Sequence, residues 1–199
     1  YTQSIHGQNI EADLDFHIQY FNEATVRYQY ITLFSIPFTV NDPDPIAVMG
    51  DEYGNYDPYS WRYFWWRTLS GAYIEYGPDF QVFDFTPGRS YWLIRHNDMP
   101  FIIDSLKTVE TDQNYTIDLL ADTLDLIPGW NMIANPFNFP VNWNDCIVTS
   151  DSVSSLFSFD GNNGFQANTR VLEPWKGYFV ANQDVQTAKV IIPPRKSTA

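Results

Sequence analysis

Apolar and polar residues alternate along much of the chain. Val26, Tyr28, Tyr30, Phe34 and Ile36 share one side of a run in which Thr32 is interposed, and Phe16, Ile18 and Tyr20 alternate with Asp15, His17 and Gln19. Tyr115, Ile117 and Leu119 alternate in the same way with Thr116, Asp118 and Leu120. Successive side chains of a strand point to opposite faces, so a period of two predicts half-buried strands. Breakers interrupt these runs often, in groups such as Asp42-Pro43-Asp44-Pro45, Pro87-Gly88 and Gly161-Asn162-Asn163-Gly164. Short strands with frequent turns predict an all-β, sandwich-like architecture with only short helical turns. One such turn is expected from Asp44 to Gly50, with Asp44 as cap, Pro45 at the first helical position and Gly50 at the end. A second is expected after Asn144, near Asp145 to Val148.

The pattern is written twice. Residues 31–38 read "ITLFSIPF" and residues 130–137 read "WNMIANPF", each a strand stopped by Pro-Phe and followed by a helical turn. Aromatic strands come next, "WRYFWW" from Trp61 and "SLFSF" from Ser155, after which Tyr73 and Phe165 occupy similar places. The closest agreement lies in residues 85–94, "FTPGRSYWLI", and residues 172–181, "LEPWKGYFVA". There Pro87 matches Pro174, Arg89 matches Lys176 and Tyr91 matches Tyr178. Both copies run on into an apolar strand, Phe101-Ile102-Ile103 and Val190-Ile191-Ile192. A proline fixes the backbone entering a strand and donates no ladder hydrogen bond, so the shared corner reads as structural before it reads as a ligand site. The expected organisation is an N-terminal segment at 1–22, a first β unit at 23–112 and a second at 113–199. The N-terminal segment is either a first strand of the domain or a strand that complements a neighbouring subunit's sheet. The strand at Val190-Ile191-Ile192, closed by Pro193-Pro194, is a candidate edge.

Composition narrows the function. Hydrophobic residues make up 44% of the 199 residues and aromatics 18%, enough for a sizeable core. The formal net charge of −13 repels phosphate backbones and anionic membrane surfaces, so neither nucleic acid nor membrane insertion is expected. No apolar run is long enough to span a bilayer. The single cysteine, Cys146, excludes an intramolecular disulfide. The start at Tyr1 fits a signal-cleaved chain or a fragment of a longer one.

Residues 129–143, "GWNMIANPFNFPVNW", and 174–180, "PWKGYFV", together with the upstream "IPF…DP", "WRYFWW" and "PGRSYWLI", resemble secreted multidomain cell-surface proteins of Bacteroidetes-related bacteria. The resemblance covers roughly Tyr30 to Pro193. It implies a β-rich extracellular module among other β-sandwich domains, located at the cell surface or beyond. Such proteins often end in a type IX secretion sorting domain, which the terminal "IIPPRKSTA" does not resemble. The resemblance brings no catalytic residues.

The motifs of common enzymes are missing: no His-Glu-x-x-His, Gly-x-Ser-x-Gly, phosphate-binding loop or Cys-x-x-Cys occurs. His6, His17 and His96 lie far apart in sequence, and Cys146 reads as a small buried residue. Paired glycosidase carboxylates leave no dependable spacing to read. No cofactor is expected. Calcium is the one metal with a motive, because Asn41, Asp42, Asp44, Asp51 and Asp57 crowd one region and Asp160-Gly161-Asn162-Asn163 makes another oxygen-rich turn. Asp and Asn are also common turn formers.

In a strand from Trp61 to Arg67, Trp61, Tyr63 and Trp65 share one face and Arg62, Phe64 and Trp66 the other. Rings on both faces mean that something covers the second: the rest of the chain, a protein partner or a polysaccharide. The expected contact residues are Trp61, Arg62, Trp65, Trp66, Arg89 and Lys176. The expected role is a non-catalytic extracellular structural module for surface architecture, adhesion or self-assembly into fibres. Carbohydrate binding through exposed aromatics is the alternative.

Overall fold

The computed structural model describes residues 10–12, 17–18, 30–77, 83–96, 101–103, 106–120, 129–160 and 164–198. The first half forms β1 (Ile10–Ala12), β2 (His17–Ile18), β3 (Tyr30–Phe34), β4 (Phe38–Val40), α1 (Pro45–Tyr53), β5 (Trp61–Arg67), β6 (Ala72–Glu75), β7 (Tyr91–Arg95), β8 (Phe101–Ile103) and β9 (Leu106–Thr108). The second half forms β10 (Tyr115–Leu119), β11 (Gly129–Ala134), β12 (Val141–Asn142), β13 (Ile147–Val148), β14 (Phe157–Asp160), β15 (Gly164–Gln166), β16 (Val171–Leu172), β17 (Gly177–Asn182) and β18 (Ala188–Ile192). The fold is all-β, with every strand pair antiparallel.

The larger sheets of the two halves repeat one topology. The larger sheet of the first runs β2-β3-β7-β5-β6, and that of the second runs β11-β17-β14-β15. Leaving out β2, the orders coincide, and the registers agree residue by residue. Trp66 stands opposite Tyr73 as Phe159 stands opposite Phe165. Phe64 stands opposite Trp92 as Phe157 stands opposite Phe179. Outside these sheets, β1 pairs with β8 as β10 pairs with β18. The described parts of 1–22 therefore join the first unit, Ile10–Ala12 along β8 and His17–Ile18 along β3. At the other terminus, β18 lies between β10 and β13, so the expected edge at Val190-Ile191-Ile192 is an interior strand.

Side-chain alternation sorts the chain into three apolar layers. Phe34, Trp61, Tyr63, Tyr91 and Leu93 face a first core with Met49, Ile103 and Leu106. Ile133, Leu156, Tyr178 and Val180 face a second core with Leu119, Val190 and Ile192. The opposite faces of the two larger sheets meet in a middle layer of Ile31, Leu33, Trp92, Met132 and Phe179, flanked by Phe64, Trp66, Trp130, Phe157 and Phe159. Both faces of β5 carry rings because the second unit covers the outer one. Burying a Leu- or Phe-sized side chain is worth roughly 1.5–3 kcal/mol, so this layer supplies on the order of 10 kcal/mol. That gain is gross, before the cost of ordering these side chains, and it falls on residues contributed by both units.

The first helical turn is longer than the sequence predicts. The Asp44 carboxylate accepts from the amides of Ile46 (2.8 Å) and Ala47 (3.4 Å), and Pro45 follows as expected. The helix continues past Gly50 to Gly54, whose φ of 72° ends it. Met49 is fully buried and Tyr53 packs its ring 6.3 Å from that of Trp61, so tertiary contact carries the extra turn. The second expected turn falls earlier, as a 3-10 turn at Trp143–Asp145, because the Asn142 side chain accepts from the Asn144 amide. Ile147 and Val148, expected within it, form β13 and pair with β18.

Candidate functional site

The matched corners have like surroundings. Gly88 (φ 79°) and Trp175 (φ 68°) both adopt the left-handed conformation. The Ala134 amide donates to the Gly88 carbonyl at 2.8 Å, and the Ser35 amide donates to the Trp175 carbonyl at 2.9 Å. Bridges join Arg89 to Ile133 and Lys176 to Phe34. Each corner is thus seated on the other unit's strand. Within each corner a buried tyrosine hydroxyl accepts a backbone amide, Tyr91 from Thr86 (2.9 Å) and Tyr178 from Glu173 (2.7 Å). Burial raises both hydroxyls above the usual tyrosine range, so they stay protonated.

The six expected contact residues do not form one surface. Trp61 is 1% exposed and packs edge-on to Tyr56 at 5.2 Å, so its ring belongs to the core and is closed to a partner. Arg62 reaches Glu75 through two bonds of 2.6 and 2.5 Å, and the Tyr56 hydroxyl donates to the same carboxylate. Its guanidinium also lies 4.8 Å from the Phe64 ring centre. Burial alone would raise the Glu75 carboxyl, but Arg62 and Tyr56 outweigh it and hold the group below its ordinary value. Arg62 is therefore engaged in folding. Lys176 is exposed at the second corner, where its carbonyl accepts from the Ser35 hydroxyl at 3.1 Å. Trp65, Trp66 and Arg89 line two different hollows.

The first hollow is an open cleft of about 360 Å³ lined by Trp66, Tyr73, Trp130, Phe157, Phe165 and Phe179. Both units contribute rings to it. Tyr73 and Phe165, which occupy equivalent places on the edge strands β6 and β15, are 47% and 52% exposed. The Tyr73 hydroxyl accepts from the Trp92 indole N–H at 3.2 Å, which orients its ring. The sequence gives Trp66 as a residue of a contact face, and it matches Tyr73 with Phe165 as repeats. It did not reveal that the middle layer opens where they meet.

The second hollow is a recess of about 300 Å³ at the first corner, where Arg89 and Trp65 meet Thr86, Tyr115, Thr116 and Asp118. The Arg89 guanidinium lies 4.4 Å from the Trp65 ring centre. The second unit places Ser158 where Trp65 stands in the first, so the Trp65 indole is not repeated at that place.

The acidic region proposed for calcium is used locally. Asp42 accepts from the Asp44 amide at 3.2 Å, and Asp57 accepts from the Tyr59 amide and the Ser60 hydroxyl at 2.9 Å each. Asp44 caps α1 and accepts from the Tyr76 hydroxyl, while Asn41 and Asp51 are exposed. Among the described residues no group of three or more His, Cys, Asp or Glu converges. Residues 161–163 of the second oxygen-rich turn, and His6, lie outside the described residues. Burial, aided by the Asp145 charge, pushes the Cys146 thiol up to about 12, so it is a protonated packing group at neutral pH. Among the described residues no helix is long and apolar enough to cross a membrane. No protein-family profile, curated protein or solved structure matches the chain.

Proposed function

We propose that the chain is a non-catalytic extracellular structural module that assembles edge to edge, β6 of one copy pairing with β15 of the next. The observation that carries this reading is the pair of unguarded edges. Soluble sheets normally protect an edge strand with charge, proline or a bulge. In β6, Ala72-Tyr73-Ile74-Glu75, the only charge is Glu75, which Arg62 already neutralises. In β15, Gly164-Phe165-Gln166, there is none. Each strand has a sheet neighbour on one side only among the described residues. Because the unit is duplicated, one subunit offers two such edges, and a contact between unlike edges propagates instead of closing. Tyr73 and Phe165 would bring the exposed rings of the cleft under the joint. Occupied terminal strands argue against the strand-donor form of assembly, since β1, β2 and β18 all pair within the chain. The acidic composition and the resemblance to surface proteins support the extracellular setting.

Carbohydrate binding is the second reading, favoured by the half-exposed rings of Tyr73 and Phe165. It ranks lower because sugar hydroxyls need polar partners and the cleft is walled by rings. Sedimentation velocity over rising concentration separates the two. Edge pairing predicts a growing series of oligomers that Ala72→Lys, a charge on an exposed edge position, reduces to monomer. A wild-type chain that stays monomeric throughout, or a variant that assembles equally well, defeats it.

A further inference from the structure

We infer that the recess at the first corner is a binding site for a small hydroxylated carboxylate, a sugar acid, held by Arg89. This is independent of edge pairing, which involves other residues. The chain carries 24 acidic side chains against 11 lysines and arginines, so an arginine that is partly buried would ordinarily find a carboxylate. Arg89 does not: among the described residues its guanidinium forms no ion pair and no hydrogen bond, and it lies 4.4 Å from the centre of the Trp65 ring. An indole attracts a guanidinium without offering its N–H donors an oxygen acceptor. What remains is a fork of donors lining a recess of about 300 Å³. Such a fork matches two oxygens of one planar group.

The surroundings select the anion. Several neighbouring polar groups are already engaged, the Tyr115 hydroxyl on the Pro87 carbonyl at 2.7 Å and the Asn131 amide on Leu120 and Gly129. The hydroxyl of Thr116 and the rim carboxylate of Asp118 line the recess as partners for ligand hydroxyls, and the Thr86 hydroxyl, which donates to the Asp84 carbonyl at a long 3.5 Å, can still accept. Asp118, only loosely paired with Lys189 at 3.9 Å, and the net charge of −13 penalise a dianion more than a monoanion. A carboxylate is therefore favoured over phosphate.

The test follows backbone and indole N–H resonances of the whole chain during titration with sodium D-glucuronate, D-glucose and inorganic phosphate. The expected result is saturable shifts at Thr86, Arg89, Thr116 and the Trp65 indole with glucuronate, and none with glucose at the same concentration. Arg89→Gln should weaken binding at least tenfold. If that variant does not fold, Arg89→Lys keeps the charge without the fork and should still lose at least threefold. Asp118→Asn, a change at an exposed position, should tighten binding two- to threefold. No saturation, equal response to glucose, tighter binding of phosphate, unchanged affinity in the Arg89 variants, or an Asp118→Asn variant that binds no better would each overturn the assignment.

Discussion

Ser35 donates its backbone N–H to the carbonyl of Trp175 at 2.9 Å, so the first unit's strand β3 is finished by the second unit's corner. The exchange is mutual, since Ala134 makes the same bond to Gly88. A single unit would expose the apolar outer face of its larger sheet and leave these strand ends unbonded. Duplication solves both problems at once. The residues that the copies share, above all Pro87 with Pro174 and Tyr91 with Tyr178, serve the joint.

Where the units approach most closely, a methyl group is too much. A Cβ at Gly177 would lie 2.6 Å from Leu33 Cγ and 2.6 Å from Ser90 Cβ, both inside the packed layer. Gly177→Ala should destabilise by about 1–3 kcal/mol, read as a lower urea midpoint. Gly88→Ala combines a φ of 79° with a contact of 2.7 Å to Tyr115 and should cost at least as much. Gly71→Ala, with φ 55° and open space around it, should cost only about 1 kcal/mol of backbone strain. Equal effects at all three positions would contradict the close approach.

The two corner hydroxyls can be compared directly. Tyr178→Phe strips the Glu173 amide of its acceptor and should cost about 1–2 kcal/mol in urea unfolding. Tyr91→Phe should cost more, because that hydroxyl also donates to the Asp84 carbonyl at 2.9 Å. A neutral outcome for either would mean the corner is held by something else.

Acid should weaken the fold through Glu75. Its carboxyl is held below the ordinary value of 4.5, so between the two values the unfolded chain binds more protons than the native one. The stabilisation is complete above about pH 5 and disappears as pH falls through the lowered native value. Glu75→Gln should therefore lose about 1–2 kcal/mol at neutral pH, and the gap from wild type should close on acidification. Parallel stability curves for the two proteins would contradict the ion pair with Arg62.

Cys146 should be nearly inert. With its thiol pushed up to about 12, the thiolate fraction at pH 8 is roughly a thousandfold below that of a free cysteine. Iodoacetamide should label it slowly in the native protein and quickly in urea. Native labelling at the rate of a free thiol would show that it is accessible after all.

Much of this architecture is legible in the sequence. Period-two alternation marked β3, β5 and β10, and the repeat located both corners, because each feature is local in sequence. What escaped was long-range pairing. Nothing near Val190 reveals that β10 and β13 will flank it, so an interior strand read as an edge. Trp61 looked like a contact residue because ring-rich strands resemble binding faces until the covering partner is known. The length of α1 is set by the burial of Met49 and the packing of Tyr53 against Trp61, while local signals end it at Gly50. Arg89 stands out in the sequence for its match with Lys176, yet its distinctive chemistry comes from Trp65, which the second unit does not repeat.

Two copies of one β plan are completed by each other. Native-state hydrogen exchange at the amides of Ser35 and Ala134 tests this most directly. Both bonds cross between units, so both amides should exchange only through global unfolding, with equal free energies and the same dependence on urea. One amide exchanging rapidly while the other stays protected would show that the units open independently, and the account would be wrong.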